Sequence, residues 1–352
     1  MATSKGTVAN IKYMMNIRLL FGFYHNVCDC TYKRYIMKSL YLIFVSFCVY
    51  GAVMIDLRNI KNGRVVSIVR IVEYVIYFIC SLQTADEYLF EYYTVDVIEN
   101  KILLKMISRN LNVFIPCYFF VFTAIHILLN FHALFYSQGI SLNFIYANTL
   151  RIANEIGRVP IMMTFILFYY RVKIFCKIIN EDVLNNTSTT FNWKQYAINY
   201  TKMKESLNKT DWPIKFKMIV HMTSGFIYMS VLQLQLATIL KKNAVKDYVK
   251  LSFGIAHLIY YYAVLFFPSI IMEMISEQIN ILKTDIANRV ITCTDERRRA
   301  NLRQLLRYFR EKPLKYCIFR AIPVDSRLPL HYVSLAVTYL VCLMQLTHLL
   351  ED

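Results

Sequence analysis

The chain has 352 residues, 57% of them hydrophobic, with 27 tyrosines, 24 phenylalanines, only 8 glycines and a formal charge of +17. Its charged fraction of 18% falls below the ~25% usual in soluble domains, and a soluble fold of this size could not hide so much apolar surface. Several long apolar runs instead mark an integral membrane protein with several helical spans, in which basic loops set orientation and meet anionic lipid, so the charge gives no reason to invoke nucleic acid.

Residues 1–38 are basic and carry no clean signal-peptide core. Within them 14–24 is apolar but too short to span, which suits an interfacial amphipathic helix or a packed terminal helix. The first span is expected at about 39–55 and the second at about 65–82. The second carries Arg70 and Glu73 three residues apart on one helical face. A charge at mid-membrane costs roughly 2.5–3.5 kcal/mol on insertion scales, so the two should pair or face a cavity. Residues 87–110 are mixed in charge and read as a helical extension outside the lipid. The third span, about 111–135, includes Pro116 and a polar patch of His126 and Asn130 one turn apart, fit for a packing bond or a cavity wall.

The fourth span, about 144–170, is polar in its first half, with Arg151, Asn154, Glu155 and Arg158. Arg151 and Glu155 form an i, i+4 pair, and Pro160 is a candidate kink. Residues 171–215 are polar and hold sequons at Asn185, Asn186, Asn199 and Asn208, which would matter only in a lumenal loop. The fifth span, about 216–240, bears Gln233 and Gln235. The sixth, about 248–274, bears His257, Tyr260, Tyr261 and Pro268, a face suited to aromatic packing or to ligand contact. In 295–312, Leu302, Leu305, Leu306 and Phe309 make one apolar stripe among arginines, the pattern of an amphipathic helix.

The last apolar run, 328–350, has no charge between Arg327 and Glu351, long enough to cross a bilayer as a helix. At about 100° per residue, Thr338, Cys342, Gln345 and Leu349 share one face. A carboxamide in an apolar span needs a partner or water. Gln345 therefore makes an interhelical hydrogen bond or lines a pore.

No linker or repeat divides the chain, so 1–352 reads as one domain: an all-α, seven-helix membrane protein with cytosolic helical extensions. With a cytosolic N-terminus, the inside segments hold thirty Lys or Arg and the outside loops six, so the positive-inside rule favours N-terminus in and C-terminus out, with 171–215 and 276–327 as cytosolic anchor segments. That topology opposes a seven-helix receptor signalling through G proteins, and there is no D/E-R-Y or N-P-x-x-Y string where one belongs. A transporter is the other alternative, though no inverted repeat is visible. No catalytic string such as H-E-x-x-H or G-x-S-x-G is present. The nine cysteines have no zinc spacing, none falls in an outside loop, and neither metal, cofactor nor extracellular disulfide is expected.

Thr338-Tyr339, five apolar residues, then Gln345 near the C-terminus resembles the signature of insect gustatory receptors, in which threonine-tyrosine, five hydrophobics, glutamine and phenylalanine follow one another. The stretch 318–337, with Asp325 at a recurrent acidic position, resembles that family's approach to its last span. Two departures are Leu346 in place of the phenylalanine and the absence of a glycine around Ala321 and Ile322. The resemblance implies a ligand-gated, non-selective cation channel assembled as a homotetramer, or as a heteromer with related receptors, in the plasma membrane of gustatory neurons. It implies that the seventh span lines the pore, with Gln345 as a polar ring, Leu346 as a hydrophobic gate, and Thr338, Cys342 and Leu349 on the same path. It further implies a ligand pocket among spans two to six, where Arg70, Tyr74, His126, Asn130, Glu155, Arg158, Gln233, His257, Tyr260 and Tyr261 lie. The expected ligand is a small plant compound that drives acceptance or avoidance, bitter or deterrent rather than sugar, since the chain is short and lacks a sugar-specific signature.

Overall fold

The structure, a computed structural model, describes residues 11–25, 31–58, 64–84, 86–92, 112–114, 116–118, 120–121, 124, 142–184, 192–209, 211–241, 248–319 and 321–349, with most of the side chains in these segments. The chain forms α1 (Ile11–Leu20), α2 (Thr31–Arg58), α3 (Arg64–Thr84), α4 (Glu87–Tyr92), α5 (Leu142–Leu184), α6 (Trp193–Lys209), α7 (Asp211–Lys241), α8 (Tyr248–Thr292), α9 (Glu296–Glu311), a two-residue hairpin of β1 (Cys317–Ile318) and β2 (Ile322–Pro323), and α10 (Arg327–Leu349). Among the described residues three helical stretches are long and apolar enough to cross a bilayer: Val65–Thr84, Thr149–Val183 and Gly254–Thr292.

The terminal segment packs as a helix rather than lying free. Met14, Met15 and Arg18 of α1 are buried. The helix ends where the Phe23 and Gly22 amides donate to the Arg18 and Leu19 carbonyls, a Schellman closure that places Gly22 in the left-handed region at φ +88°. A side chain at Gly22 would also have no room, since a Cβ there would stand 2.6 Å from Tyr74 Oη.

α2 turns Ile43, Phe44, Phe47 and Tyr50 outward, the surface expected of a lipid-facing helix. α5 runs unbroken through Pro160 to Leu184, well past the apolar stretch that ends near 170. Proline lacks the N–H that would bond the carbonyl of Ile156 one turn earlier. The Arg18 guanidinium donates to that carbonyl instead, at 3.1 Å, so α1 supplies the donor that Pro160 cannot. α8 likewise continues to Thr292, and the two long helices lie against each other, joined beyond the apolar region by Asn180 and Asp285 at 3.0 Å.

The main core lies where these extensions meet α6, α9 and the hairpin. Leu302, Leu305, Leu306 and Phe309 of α9 are all buried, as the stripe predicts, and Phe175 and Tyr200 pack on Phe309 within the same core as Ile318. The Asp295 carboxylate accepts from the Arg297 amide at the start of α9, and Asp325 accepts from the Arg327 amide at the start of α10 at 3.0 Å. Both are N-caps. The hairpin, which pairs Cys317 with Pro323 and Ile318 with Ile322, is an addition to the all-helical expectation; it is too short to leave a period in the sequence.

Candidate functional site

Charged and hydroxylic side chains of α3, α5, α7 and α8 converge in the bundle on Arg158. Its Nε donates to Glu73 Oε1 at 3.0 Å and its Nη2 to both Glu73 oxygens at 2.8 Å, a fork on a carboxylate. Nη1 donates to Glu155 Oε1 at 2.6 Å, and Nη2 also meets Tyr261 Oη at 3.0 Å. Glu155 Oε2 accepts from the hydroxyls of Tyr118 at 3.0 Å and Tyr260 at 3.4 Å. His221 of α7 places Nδ1 3.6 Å from Glu73, and Asn154 donates to the Arg70 carbonyl at 3.1 Å. Glu73, Glu155, Arg158, His221 and Tyr261 are all buried.

Arg70 and Glu73, expected to pair or to face a cavity, border one together without pairing, and the i, i+4 spacing of Arg151 and Glu155 makes no ion pair. Glu73 does not pair with Arg70, nor Glu155 with Arg151: both carboxylates turn to Arg158, whose planar fork sits between them and satisfies them together. Arg70 instead lies over the Tyr228 ring, 5.0 Å from its centroid, and Tyr228 packs on Tyr261 at 4.9 Å. A cavity of about 20 Å³, room for about one water, is bordered by Arg70, Glu73, Arg151, Glu155, Arg158, Ser224, Tyr228 and Tyr261.

Of the residues expected at a ligand site, Arg70, Glu155, Arg158, Tyr260 and Tyr261 meet here. Gln233 lies further along α7 and donates to Tyr262 Oη at 3.0 Å. Tyr74 donates to the Phe21 carbonyl at 2.9 Å and borders a different, larger and mainly apolar cavity of about 320 Å³ between α1, α2, α3 and α5. His126, Asn130 and the side chain of His257 lie outside the described residues. His221, Ser224 and Tyr228 were not anticipated; their spacing of three and four along α7 is a helical face that the sequence does carry.

The polar cluster connects to the last helix. Tyr332 and Ala336 are the buried positions in the described part of α10, and Tyr332 Oη donates to the Met222 carbonyl at 3.0 Å, next in the chain to His221. Gly225, one turn on, makes the close approach possible: a Cβ there would meet Tyr332 Oη at 3.2 Å and Tyr261 Cε1 at 3.4 Å. One turn of α7 thus touches the cluster on one side and α10 on the other. Thr338, Cys342 and Gln345 are exposed on α10; the side chains of Leu346 and Leu349 lie outside the described residues.

A second charged cluster closes the far end of α3. Asp86, in the left-handed region at φ 48°, pairs with Arg18, with Lys217 Nζ at 3.2 Å and with Ser81 Oγ at 3.0 Å. Burial alone would raise the Asp86 carboxyl, but the Arg18 and Lys217 cations outweigh it and hold the group well below the usual carboxylate range. Burial, reinforced by the Asp86 charge, keeps the neighbouring Tyr88 phenol protonated.

No family profile matches the chain, and no curated protein matches its sequence. Solved structures do. The insect olfactory receptor OR5 from Machilis hrabei in complex with eugenol superposes with a TM-score of 0.66 over 96% of this chain and 98% of its own, at 13% identity. A second structure of OR5 gives 0.63, again at 13% identity, over 96% and 97% of the two chains. The fold is that of an insect olfactory receptor. Coverage is nearly complete in both directions, so the olfactory-receptor fold accounts for the long helical extensions and the terminal helix as well as the bundle. With helices of such length and apolar composition, the chain is a multi-pass membrane protein.

Proposed function

We propose that the chain is a chemoreceptor channel subunit of the gustatory type, a non-selective cation channel opened by a small, plant-derived compound and assembled around the seventh span as a homotetramer or with related subunits. The observation that carries this reading is the α7 turn that joins the polar cluster to α10. It supports a route from a bound ligand to a pore-lining helix, while the exposed Thr338, Cys342 and Gln345 face supplies the polar surface that a water-filled pore requires. The olfactory-receptor fold and the threonine-tyrosine…glutamine string support the same assignment, with the N-terminus cytosolic and a bitter or deterrent ligand.

In this mechanism the ligand enters beside Arg158 and biases the Glu73–Arg158–Tyr261 arrangement. A shift of α7 at His221–Gly225 is passed to Tyr332, and the population moves toward an open pore. The ligand must bind the open arrangement more tightly than the closed one, or no current follows. Patch-clamp recording from cells expressing this chain, with G-protein signalling blocked, tests the reading. The expected result is a rapid cation current evoked by a plant metabolite, with conductance or ion preference altered by Gln345→Ala. A current abolished by the block would overturn the channel assignment, and unchanged conductance and ion preference in Gln345→Ala would remove that residue from the pore.

A further inference from the structure

The polar cavity is short of negative charge. Glu73 and Glu155 are its two carboxylates, and both are engaged, Glu73 by three contacts from Arg158 and Glu155 by Arg158, Tyr118 and Tyr260. Arg70 and Arg151 line the same cavity, and among the described residues neither meets a carboxylate. Arg70 is held over the Tyr228 ring. Arg151 has its Nε buried with no hydrogen-bond acceptor. Among the described residues three guanidinium groups therefore face two carboxylates, and an unbalanced charge at membrane depth is costly unless something compensates it. The third span cannot do so, because residues 111–141 contain no Asp or Glu.

We propose that this cavity binds a small organic carboxylate, its anionic group held between Arg70 and Arg151 and its carbon skeleton against the rings of Tyr228 and Tyr261. This rests on the reading of the polar cluster as the ligand site and narrows the ligand to one chemical class. Guanidinium planes suit a carboxylate in two-point contact, and the tilted rings of Tyr228 and Tyr261 border the cavity beside it. The present cavity holds about one water, so binding requires the partly buried Arg70 and Arg151 side chains to swing outward and stay displaced around the ligand. A neutral amide of the same shape would fill the same space and leave the charge imbalance in place.

The test is a binding measurement on the full chain in lipid nanodiscs at pH 7, by saturation-transfer NMR, with acetate and benzoate against acetamide and benzamide. Each acid is expected to bind at least tenfold more tightly than its amide. Arg70→Gln and Arg151→Gln should each weaken benzoate at least tenfold while leaving benzamide unchanged. Both substitutions remove one of two neighbouring like charges, so melting temperatures at or above that of the unsubstituted chain are expected and would show that folding is intact. Acids and amides that bind alike, or benzoate binding untouched by Arg151→Gln, would overturn the proposal. Current is read separately. Arginine-dependent benzoate binding without any cation current, in cells expressing this chain alone, would leave the acid site standing and remove the self-sufficient homotetramer. A current driven by neutral compounds and insensitive to both substitutions would do the reverse.

Discussion

Replacing Arg158 by methionine removes the one group that neutralises two buried carboxylates. Glu155 would retain the hydroxyls of Tyr118 and Tyr260. Glu73 would lose contacts at 3.0, 2.8 and 2.8 Å and be left facing His221 at 3.6 Å, with 2% of its side chain exposed. Stranding one partner of a buried ion pair costs about 3–5 kcal/mol, which corresponds to a fall of about 4–7 °C in melting temperature for a chain of 352 residues. The decisive comparison is a cycle with Glu73→Gln, measured by thermal melts in nanodiscs. If the cost arises from the stranded charge, the double variant Glu73→Gln/Arg158→Met should melt higher than Arg158→Met alone, because no anion is then left unpaired at Glu73. A single variant within about 1 °C of the unsubstituted chain, or a double variant that melts lower than the single, would refute the idea that Arg158 is the electrostatic centre of the bundle.

Two further outcomes follow from the end of the bundle near α1. Gly22→Ala must place a Cβ 2.6 Å from Tyr74 Oη and 2.9 Å from Val45 Cγ2 at a φ of +88°; a loss of about 1–3 kcal/mol is expected, read as a lower melting temperature, and an unchanged melt would mean that α1 does not close as described. Asp86 has its folded pKa below the unfolded value, so its charge stabilises the fold above about pH 4 and that contribution drains away as pH falls further. The melting temperature of the unsubstituted chain should therefore decline more steeply below about pH 4 than that of Asp86→Asn, which should already be less stable at pH 7; parallel curves would exclude Asp86 as the source.

The apolar runs made most helices legible. A second span expected at 65–82 lies inside α3, Arg64–Thr84, and the α9 stripe buries the four residues its period selects, because burial of one helical face is a local property of sequence. The charged centre was not legible in the same way. Spacing on a single helix joins Arg70 to Glu73 and Arg151 to Glu155, whereas the partners in the fold are Glu73 and Arg158, separated by 85 positions and brought together only by packing. Helical extensions beyond the membrane were expected, but where α5 and α8 end was not legible, since the apolar signal stops near 170 and 274 while the backbone continues helical through polar residues to Leu184 and Thr292. The helical period of His221, Ser224 and Tyr228 was available on α7, yet nothing in that period says which face meets Arg158.

The unbroken length of α5 has a mechanical consequence. Its 43 residues make a rod of about 65 Å at 1.5 Å per residue, roughly twice the hydrocarbon thickness of a bilayer. Arg151, Glu155 and Arg158 sit in its first half and the packing of α6 and α9 gathers at its far end. A tilt of only ~5° about the Arg158 region would sweep that far end through ~3–4 Å on this geometry. Because α8 lies alongside and is tied to α5 by Asn180 and Asp285, the two rods act as a coupled lever. A side-chain rearrangement too small to alter the bundle could thereby be magnified into a visible displacement of the distal helical assembly.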